Sequence, residues 1–380
     1  MEAIATTEVV APDGGPPEVP LGQVEAELSR RLQAAQNDAH AHLHRARLSN
    51  LIIYCSEHDQ SCRAEALVPE VVAIHPARVF LLHADSVATE GDVTASVLVR
   101  RLDSDARFVS EQVTLRAGGR SVEKLPFAVR GLLVGDLPTN LWWACPTPPP
   151  LAGPILRHLA EHAEQFVFDS LGWSDPNRGV AATSAWLDSF ERGPGRGRFR
   201  VASDLNWRRL KTWRRLLTQG LDPASAPGAL SSISDVLIEH GPHAVTQAWQ
   251  VSSWLASRLG WEYQSSKLRP DLEIAVRFRA PHGPVTLRID RMPEGPPEIR
   301  RVRISCGPGG NSGVFDFKAE DGDRLSVAPE GVAVAPRTVA APPLRIAELI
   351  GRQLSDREPD TIFRETMKVA QHLARRVVAG

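Results

Sequence analysis

Val134-Gly-Asp-Leu-Pro-Thr-Asn-Leu-Trp-Trp-Ala-Cys145 is the stretch from which the rest of this chain can be read. A tight Asp136-Leu137-Pro138 turn feeds a strand that carries two adjacent tryptophans, Trp142 and Trp143. Successive side chains on a strand point to opposite faces. One indole is therefore expected in the core, and its neighbour against another element, a ligand or a partner. No nucleophile, metal cluster or phosphate loop of comparable clarity stands elsewhere, so binding is the leading theme.

Upstream, Asn50-Leu-Ile-Ile-Tyr-Cys55 and Val79-Phe-Leu-Leu-His83 are nearly continuous apolar runs, as expected for strands covered on both sides. Between them a helix is predicted from Arg63 to Ile74, stopped at His75-Pro76 because the residue before proline is driven out of the α region. Strand, helix, strand with short connections is the signature of a parallel α/β unit. Alternating segments Thr94 to Leu102 and Arg107 to Arg116 around an Asp103-Ser104-Asp105 turn predict an antiparallel hairpin, which makes the sheet mixed. Val24, Leu28 and Leu32, with Ala35 behind, mark an amphipathic helix. Residues 1–20 are rich in Pro, Gly and acid and are expected to be a disordered tail.

Downstream of the helix Leu125 to Leu133 and the tryptophan strand come a proline-rich corner, a helix from Ile155 to Gln165 and a strand Phe166-Val-Phe-Asp169. Asp169 stands at the carboxyl end of its strand, the edge that carries the ligand crevice in open α/β sheets. Asp169 and the Asp136 turn are thus expected to face one candidate ligand site. The stretch from Ser203 to Leu217 predicts a helix capped by Ser203 or Asp204, with Trp207 and Trp213 among its apolar contacts and Arg208 on the other side. It reads as an amphipathic core helix or as a partner-docking or anion-binding one.

A composition shift at Asp222-Pro-Ala-Ser-Ala-Pro-Gly228 suggests the domain boundary. The expected organisation is a tail over 1–20, an α/β domain with a mixed sheet over 21–225, and an α+β domain with an antiparallel sheet over 226–380. The second domain combines a helix from Ala244 to the C-cap Gly260, alternating segments between Leu272 and Lys318, and two closing helices, Leu344 to Leu354 and Asp360 to Val377.

With 380 residues the chain has room for two ordinary domains, and its net charge of -1 provides no global field for nucleic acid or an anionic membrane. Four cysteines without a CxxC pair argue against a disulfide framework or a zinc site. Cys55 and Cys62 are near enough in sequence to bridge across a turn, but reduced thiols are expected. His40, His42 and His44 lack the Glu of an H-E-x-x-H pattern and read as surface histidines. The run Arg192-Gly-Pro-Gly-Arg-Gly-Arg198 lacks the P-loop Lys-Ser/Thr and the dinucleotide spacing, so it reads as a flexible loop. No G-x-S-x-G elbow or membrane-length apolar run is present, and no signal peptide is expected, because residues at the N-terminus lack a charged n-region followed by an apolar h-region. The expectation is a cytoplasmic protein with no catalytic residues, no cofactor and no metal.

The succession NLIIYC, HPARVFLL, VSEQVTL, LLVGDLPTNLWW, FVFDSLGW, DLNWRRLKTWR and WLASRLGW, in this order, resembles the bacterial glucose-6-phosphate dehydrogenase assembly protein family, OpcA. The resemblance runs from about residue 45 to the C-terminal helix, and DLP-x-x-LWW and DLNW-x-R-L-x-x-W are its specific elements. It implies a non-catalytic partner of glucose-6-phosphate dehydrogenase that promotes the active oligomeric or allosterically activated form of that enzyme in the oxidative pentose phosphate pathway. Tryptophan and arginine are enriched at binding hot spots. Asp136, Trp142, Trp143, Trp207, Arg208 and Trp213 are accordingly the expected partner-binding residues, with part of the set in the core. The alternative from another class is a sugar-phosphate- or nucleotide-binding enzyme or sensor that uses Asp136, Asp169 and nearby arginines at the carboxyl edge of the N-terminal sheet.

Overall fold

The computed structural model describes residues 16–39, 42–102, 107–192, 200–269, 273–307, 313–321 and 323–379. Two compact units divide the chain, each assembled from separated segments. The first comprises Met1–Asp169, Phe190–Leu205 and Arg345–Pro359; the second comprises Ser170–Ser189, Asn206–Leu344 and Asp360–Gly380. The boundary expected after residue 225 falls inside the second unit, because local composition does not register a chain that returns to an earlier unit. The helices are α1 (Val24–Ala39), α2 (His58–Ile74), α3 (Leu125–Arg130), α4 (Pro154–Ala160), α5 (Pro176–Glu191), α6 (Leu205–Arg209), α7 (Lys211–Gly220), α8 (Val245–Leu259), α9 (Ile346–Ser355) and α10 (Thr361–Ala379).

In the first unit, β1 (Glu18–Val19), β2 (His44–Arg45), β3 (Ser49–Cys55), β4 (Ala77–Asp85), β5 (Thr94–Arg101), β6 (Phe108–Gly118), β7 (Thr139–Trp143), β8 (Gln165–Phe168) and β9 (Val201–Asp204) form a mixed sheet. Its order is β1-β5-β6-β4-β3-β7-β8-β9, with β2 beside β6. The six strands from β6 to β9 along this path run parallel. β5 is antiparallel to both β6 and β1. The expected hairpin is therefore present, although its turn at 103–105 lies outside the described residues. Glu18 and Val19 pair with β5, so this part of the expected tail is an edge strand; residues 1–15 lie outside the described residues.

Every residue of β3, β7 and β8 is buried, as a parallel sheet covered on both faces requires. That coverage corrects the expectation for the paired tryptophans. Alternation sends Trp142 and Trp143 to opposite faces, but both faces are interior, and the two are 4% and 1% exposed.

At the amino edge of this sheet a layer of buried polar side chains holds α9. Asn140 Nδ2 donates to Ser49 Oγ at 3.0 Å, Ser49 Oγ meets His75 Nε2 at 3.0 Å, and His75 Nδ1 meets Ser355 Oγ at 3.2 Å. Ser355 Oγ then donates to Gly351 O at 3.2 Å. One arrangement of protons satisfies the series: Ser49 donates to a neutral imidazole, which donates in turn to Ser355. Farther along, Gln165 Nε2 donates to the carbonyls of Gln353 and Asp356, both at 2.8 Å, and Gln353 Nε2 donates to Ser203 Oγ at 3.0 Å. α9 also approaches α2 closely. A Cβ at Gly351 would lie 2.8 Å from Ile74 Cβ, so only glycine permits this crossing without displacement.

In the second unit, β10 (Ile233–His240), β11 (Glu262–Arg269), β12 (Glu273–Ala280), β13 (Gly283–Arg291), β14 (Ile299–Cys306), β15 (Gly313–Glu320), β16 (Arg324–Glu330) and β17 (Arg337–Ala340) form a sheet in the order β11-β12-β13-β10-β14-β15-β16-β17. Every pairing is antiparallel except β10 with β13. Val236, Ile238, Leu287, Ile289, Val302 and Ile304 turn one face inward, into a core shared with Trp213 and Trp249. Gly260 adopts φ 67° and closes α8, as its sequence position predicted. β10 sits in the middle of this sheet yet lacks a clean alternation, because a register shift between Ile233 and Asp235 interrupts it.

Burial holds the His75 imidazole down at about 4, with Arg357 adding to the effect. Between the ordinary value of 6.5 and about 4 the unfolded chain binds a proton that the folded chain does not, so stability falls as pH drops through this window. His75→Gln should remove that part of the slope. Wild type is expected to exceed the variant in denaturation midpoint at pH 7, and the two midpoints should converge towards pH 4.5. Parallel pH profiles would discard this role for His75.

Candidate functional site

The turn before β7 is set by a neighbouring strand. Leu137 N–H donates to Val134 O at 3.1 Å, and Asn50 of β3 pins both ends of the loop. Its Nδ2 reaches Val134 O at 3.0 Å, Leu137 O at 3.3 Å and Thr139 Oγ1 at 3.3 Å, while its Oδ1 accepts Val134 N–H at 3.1 Å. Asn50 is fully buried, and Gly135 and Asp136 stand exposed at the tip. On α3, the helix that leads into this turn, Phe127 is 64% exposed beside the ring of His158.

Asp136 precedes β7, whereas Asp169 follows β8, and β7 and β8 are parallel neighbours. The two carboxylates therefore occupy opposite edges of the sheet, about 16 Å apart along a five-residue strand at the usual rise. The expectation that they face one site is corrected by strand order. Asp169 is half-exposed at the carboxyl edge; Asp136 lies at the amino edge.

The carboxyl edge does contain a switch point. From β3 the chain progresses through β4 and β6 on one side, then returns to β7, β8 and β9 on the other. Crevices for ligands open at such points. Here the turn after β3 engages its own residues. Ser56 N–H and Oγ both donate to Gln60 Oε1, at 3.1 and 3.2 Å. Trp143 stacks on Tyr54 at 4.5 Å and its indole N–H donates to Thr147 O at 3.0 Å. No glycine occurs between Cys55 and Gln60, and Glu57 and Asp59 place carboxylates at the start of α2. A bound phosphate needs free amides and positive potential at that position. These residues do not fit a dinucleotide pyrophosphate.

Burial pushes the Cys55 and Cys145 thiols up to about 12, so both remain protonated, and the Tyr54 hydroxyl rises for the same reason. Cys62 is exposed on α2, with its Sγ 3.5 Å from His58 Nε2. The His58 ring lies 5.3 Å from that of His83, whose imidazole burial and then His58 push below its ordinary value. All four cysteines are free. Among the described residues no group of three or more His, Cys, Asp or Glu side chains is arranged to hold a metal. His42 and His44 are exposed, as expected; His40 and the glycine-rich segment 193–199 lie outside the described residues.

In the second unit, the segment that follows Leu205 is a structural clamp. Asn206 is fully buried and saturated: Nδ2 donates to Ser170 Oγ and Thr246 Oγ1, at 2.9 and 3.2 Å, and Oδ1 accepts from Gln247 and Arg209, at 3.0 and 2.9 Å. Trp207 Nε1 donates to Asp360 Oδ2 at 2.7 Å, and Asp360 Oδ1 caps α10 by accepting Phe363 N–H at 2.8 Å. The Arg214 guanidinium lies 3.4 Å over the Trp207 ring and donates to the Trp207 carbonyl. Burial lowers Arg214 to about 10, which leaves it charged at neutral pH. Ser203 and Asp204 close β9, with Asp204 directly before α6, and the predicted single helix is instead two, α6 and α7.

Trp207 and Trp213 are each 6% exposed. With Trp142 and Trp143 also interior, the expected partner-binding set loses its four indoles as accessible anchors, while Asp136 and the half-exposed Arg208 stay at the surface. The physical reason is the same in both units: the indoles bury too much apolar area to be left in water.

Two family profiles match the chain. The glucose-6-phosphate dehydrogenase subunit N-terminal domain matches residues 68–185, and the corresponding C-terminal domain matches residues 200–367. The chain belongs to the OpcA family. Curated relatives named OpcA, whose names place them in the OxPP cycle, include one from Nostoc punctiforme, 28% identical over 52% of this chain and 40% of its own length. Another, from Synechococcus elongatus, is 24% identical over 94% of this chain and 65% of its own length. This OpcA-family chain thus spans less than two thirds of the length of the curated relatives it matches. Among solved structures, a dehydrogenase from Clostridium difficile aligns over 87% of this chain and 99% of its own, with 9% identity and a TM-score of 0.47. The regulator Gal80p from a yeast of the genus Kluyveromyces aligns over 88% of both chains, with 9% identity and a TM-score of 0.49. Likeness at that level transfers no activity or cofactor. No helix among the described residues is long and apolar enough to cross a membrane.

Asn50→Ala strips four partners from the turn and should lower stability by about 1–3 kcal/mol, whereas Asp136→Ala at its exposed tip should stay within about 0.5 kcal/mol. Urea unfolding of both variants checks the contrast; equal losses would refute the pinning. Trp207→Phe keeps an aromatic ring beneath Arg214 but removes the indole N–H bond to the Asp360 carboxylate, and a cost of about 1.5–3 kcal/mol is expected in the same assay. A maleimide at neutral pH should label Cys62 alone in the folded chain, with the other three thiols reacting only after denaturation.

Proposed function

We propose that the chain is a non-catalytic partner of glucose-6-phosphate dehydrogenase that favours the active oligomeric or allosterically activated form of that enzyme. The observation that carries this reading is the pair of family profiles, which together cover about three quarters of the chain and are both described as domains of a glucose-6-phosphate dehydrogenase subunit. The chemistry of the turn between β3 and α2 supports it. Ser56 N–H is taken by Gln60 Oε1, no glycine stands between Cys55 and Gln60, and Glu57 and Asp59 place carboxylates where a phosphate would need positive potential. The reading carries with it a cytoplasmic location and neither cofactor nor metal in this chain.

Contact with the dehydrogenase is assigned to accessible groups: the Asp136 tip and Phe127 in the first unit, and Arg208 in the second. The rigid turn held by Asn50 presents Asp136 at little entropic cost on binding. An effector of this kind must bind the active state better than the inactive one, by about 1–3 kcal/mol for a typical coupling.

Co-purification with the dehydrogenase, followed by titration of its apparent KM for glucose 6-phosphate, tests the reading. Binding and a shift of roughly 5- to 150-fold are expected from a coupling of that size. The surface variant Asp136→Lys with Phe127→Ser should weaken the complex at least tenfold without changing the fold. Absence of both binding and any kinetic change would sink the proposal.

A further inference from the structure

The outward face of the second-unit sheet is neither covered nor simply solvated. Its residues fall on three levels across the strands, fixed by the pairing register. On one level stand Glu273, Asp290, Glu239, Arg301 and Lys318, on β12, β13, β10, β14 and β15 in turn. The next level carries Arg288, Leu237, Arg303 and Asp316 on β13, β10, β14 and β15, flanked by the small residues Ala275 and Ala328. A third runs from Arg277 on β12 to Glu330 on β16 through Thr286, Asp235, Ser305 and Val314. Apart from Asp316, every one of these residues is exposed or half-exposed.

The charges on the first level are segregated. Three carboxylates stand on adjacent strands to one side of the β10/β14 seam and two cations on the other. Like charges directly opposite each other on a sheet destabilise it. The relief inside the chain is partial: Arg269 lies 3.4 Å from Glu273 and Arg301 lies 3.4 Å from Glu239. Asp290, between them, has a buried Oδ1 that accepts no hydrogen bond among the described residues. Its carboxyl is pushed upward by burial and then by Glu273, against the opposing pull of Arg288.

We propose that this face packs against the same face of a second copy of the chain, about a two-fold axis that runs along the strands between β10 and β14. Such a rotation keeps each level opposite itself and exchanges the two sides of the seam. β10 then faces β14 of the second copy, β13 faces β15, and β12 faces β16. Glu239 meets the second copy's Arg301, Asp290 meets its Lys318, Arg288 stands opposite its Asp316, and Arg277 meets its Glu330. These four pairs join opposite signs, Glu273, Arg303 and Asp235 meet the neutral Ser326, Leu237 and Ser305, no like charges are brought together, and the orphaned Asp290 gains a cation. The isologous arrangement satisfies each pair twice. Strand directions stay aligned, as face-to-face sheets prefer. Eight strands at ~4.8 Å spacing and ~25 Å length give a footprint of roughly 900 Å², close to the ~800 Å² per partner of a standard interface.

Analytical ultracentrifugation of the full chain over the micromolar range tests this assignment, and it does not depend on the dehydrogenase. Dimers are expected, weakening as salt is raised. Lys318→Glu, at a 46% exposed side chain whose ion-pair partner among the described residues is Asp316, sets two carboxylates against each other in the dimer and should raise its dissociation constant at least tenfold. Asp290→Lys should do the same, and the double exchange Asp290→Lys with Lys318→Asp should recover dimer, with circular dichroism unchanged throughout. A wild-type monomer at all concentrations, or a dimer indifferent to Lys318→Glu, overturns the proposal. So does a monomer whose Lys318→Glu variant loses the dehydrogenase, because the face would then serve that enzyme.

Discussion

A buried amide gives up its hydration and needs hydrogen-bond partners inside the protein, and at Asn50 and Asn206 this need organises a stretch of each unit. Asn50 meets it by gripping the turn that launches the tryptophan strand, with donors to Val134, Leu137 and Thr139 and an acceptor for Val134 N–H. Asn206 meets it by joining Ser170, Thr246, Gln247 and Arg209. An unmatched group at either site forfeits its hydration without return. Apolar burial supplies most of the driving force for the fold, but it is indifferent to small shifts in register. These amides are not, and they fix where the loops leave the sheet and where the helices begin.

The tryptophan-rich segments are best understood through the same constraint. Trp143 has a stacking partner in Tyr54 and a carbonyl for its N–H, and Trp207 has Arg214 above its ring and the Asp360 carboxylate at its nitrogen. Each indole is an apolar body with one polar atom, and each has both needs met in the interior. A motif that distinguishes a family in sequence can thus mark its scaffold. The residues that stay accessible are less conspicuous: the tip at Asp136, the ring of Phe127 and the part-exposed Arg208.

The two sheets differ in how they treat their faces. The first is covered on both faces at β3, β7 and β8, which makes the middles of those strands apolar. The second is covered on one, and its open face carries charge in a pattern that the chain alone leaves unbalanced at Asp290. Packing and electrostatics divide the labour accordingly. Packing holds the first sheet in register; on the second, the separation of charge across the seam makes the surface selective about what it meets.

The sequence by itself determined the strand and helix alternation of the first unit, because β3, β4, β7 and β8 are apolar runs bounded by turn residues. It also determined the turn before β7, the Gly260 cap and the family. It left β9 hidden, since Val201-Ala-Ser-Asp204 has no apolar run and its Ser and Asp look like helix caps. β10 was hidden by the register shift that breaks its alternation. Only the tertiary structure decided that Asp136 and Asp169 lie on opposite edges, that four indoles are interior, and that 345–359 belongs with the first unit. Those properties depend on strand order and on the layers over each face. Both are set by contacts between residues far apart in the chain, and local spacing carries no record of them.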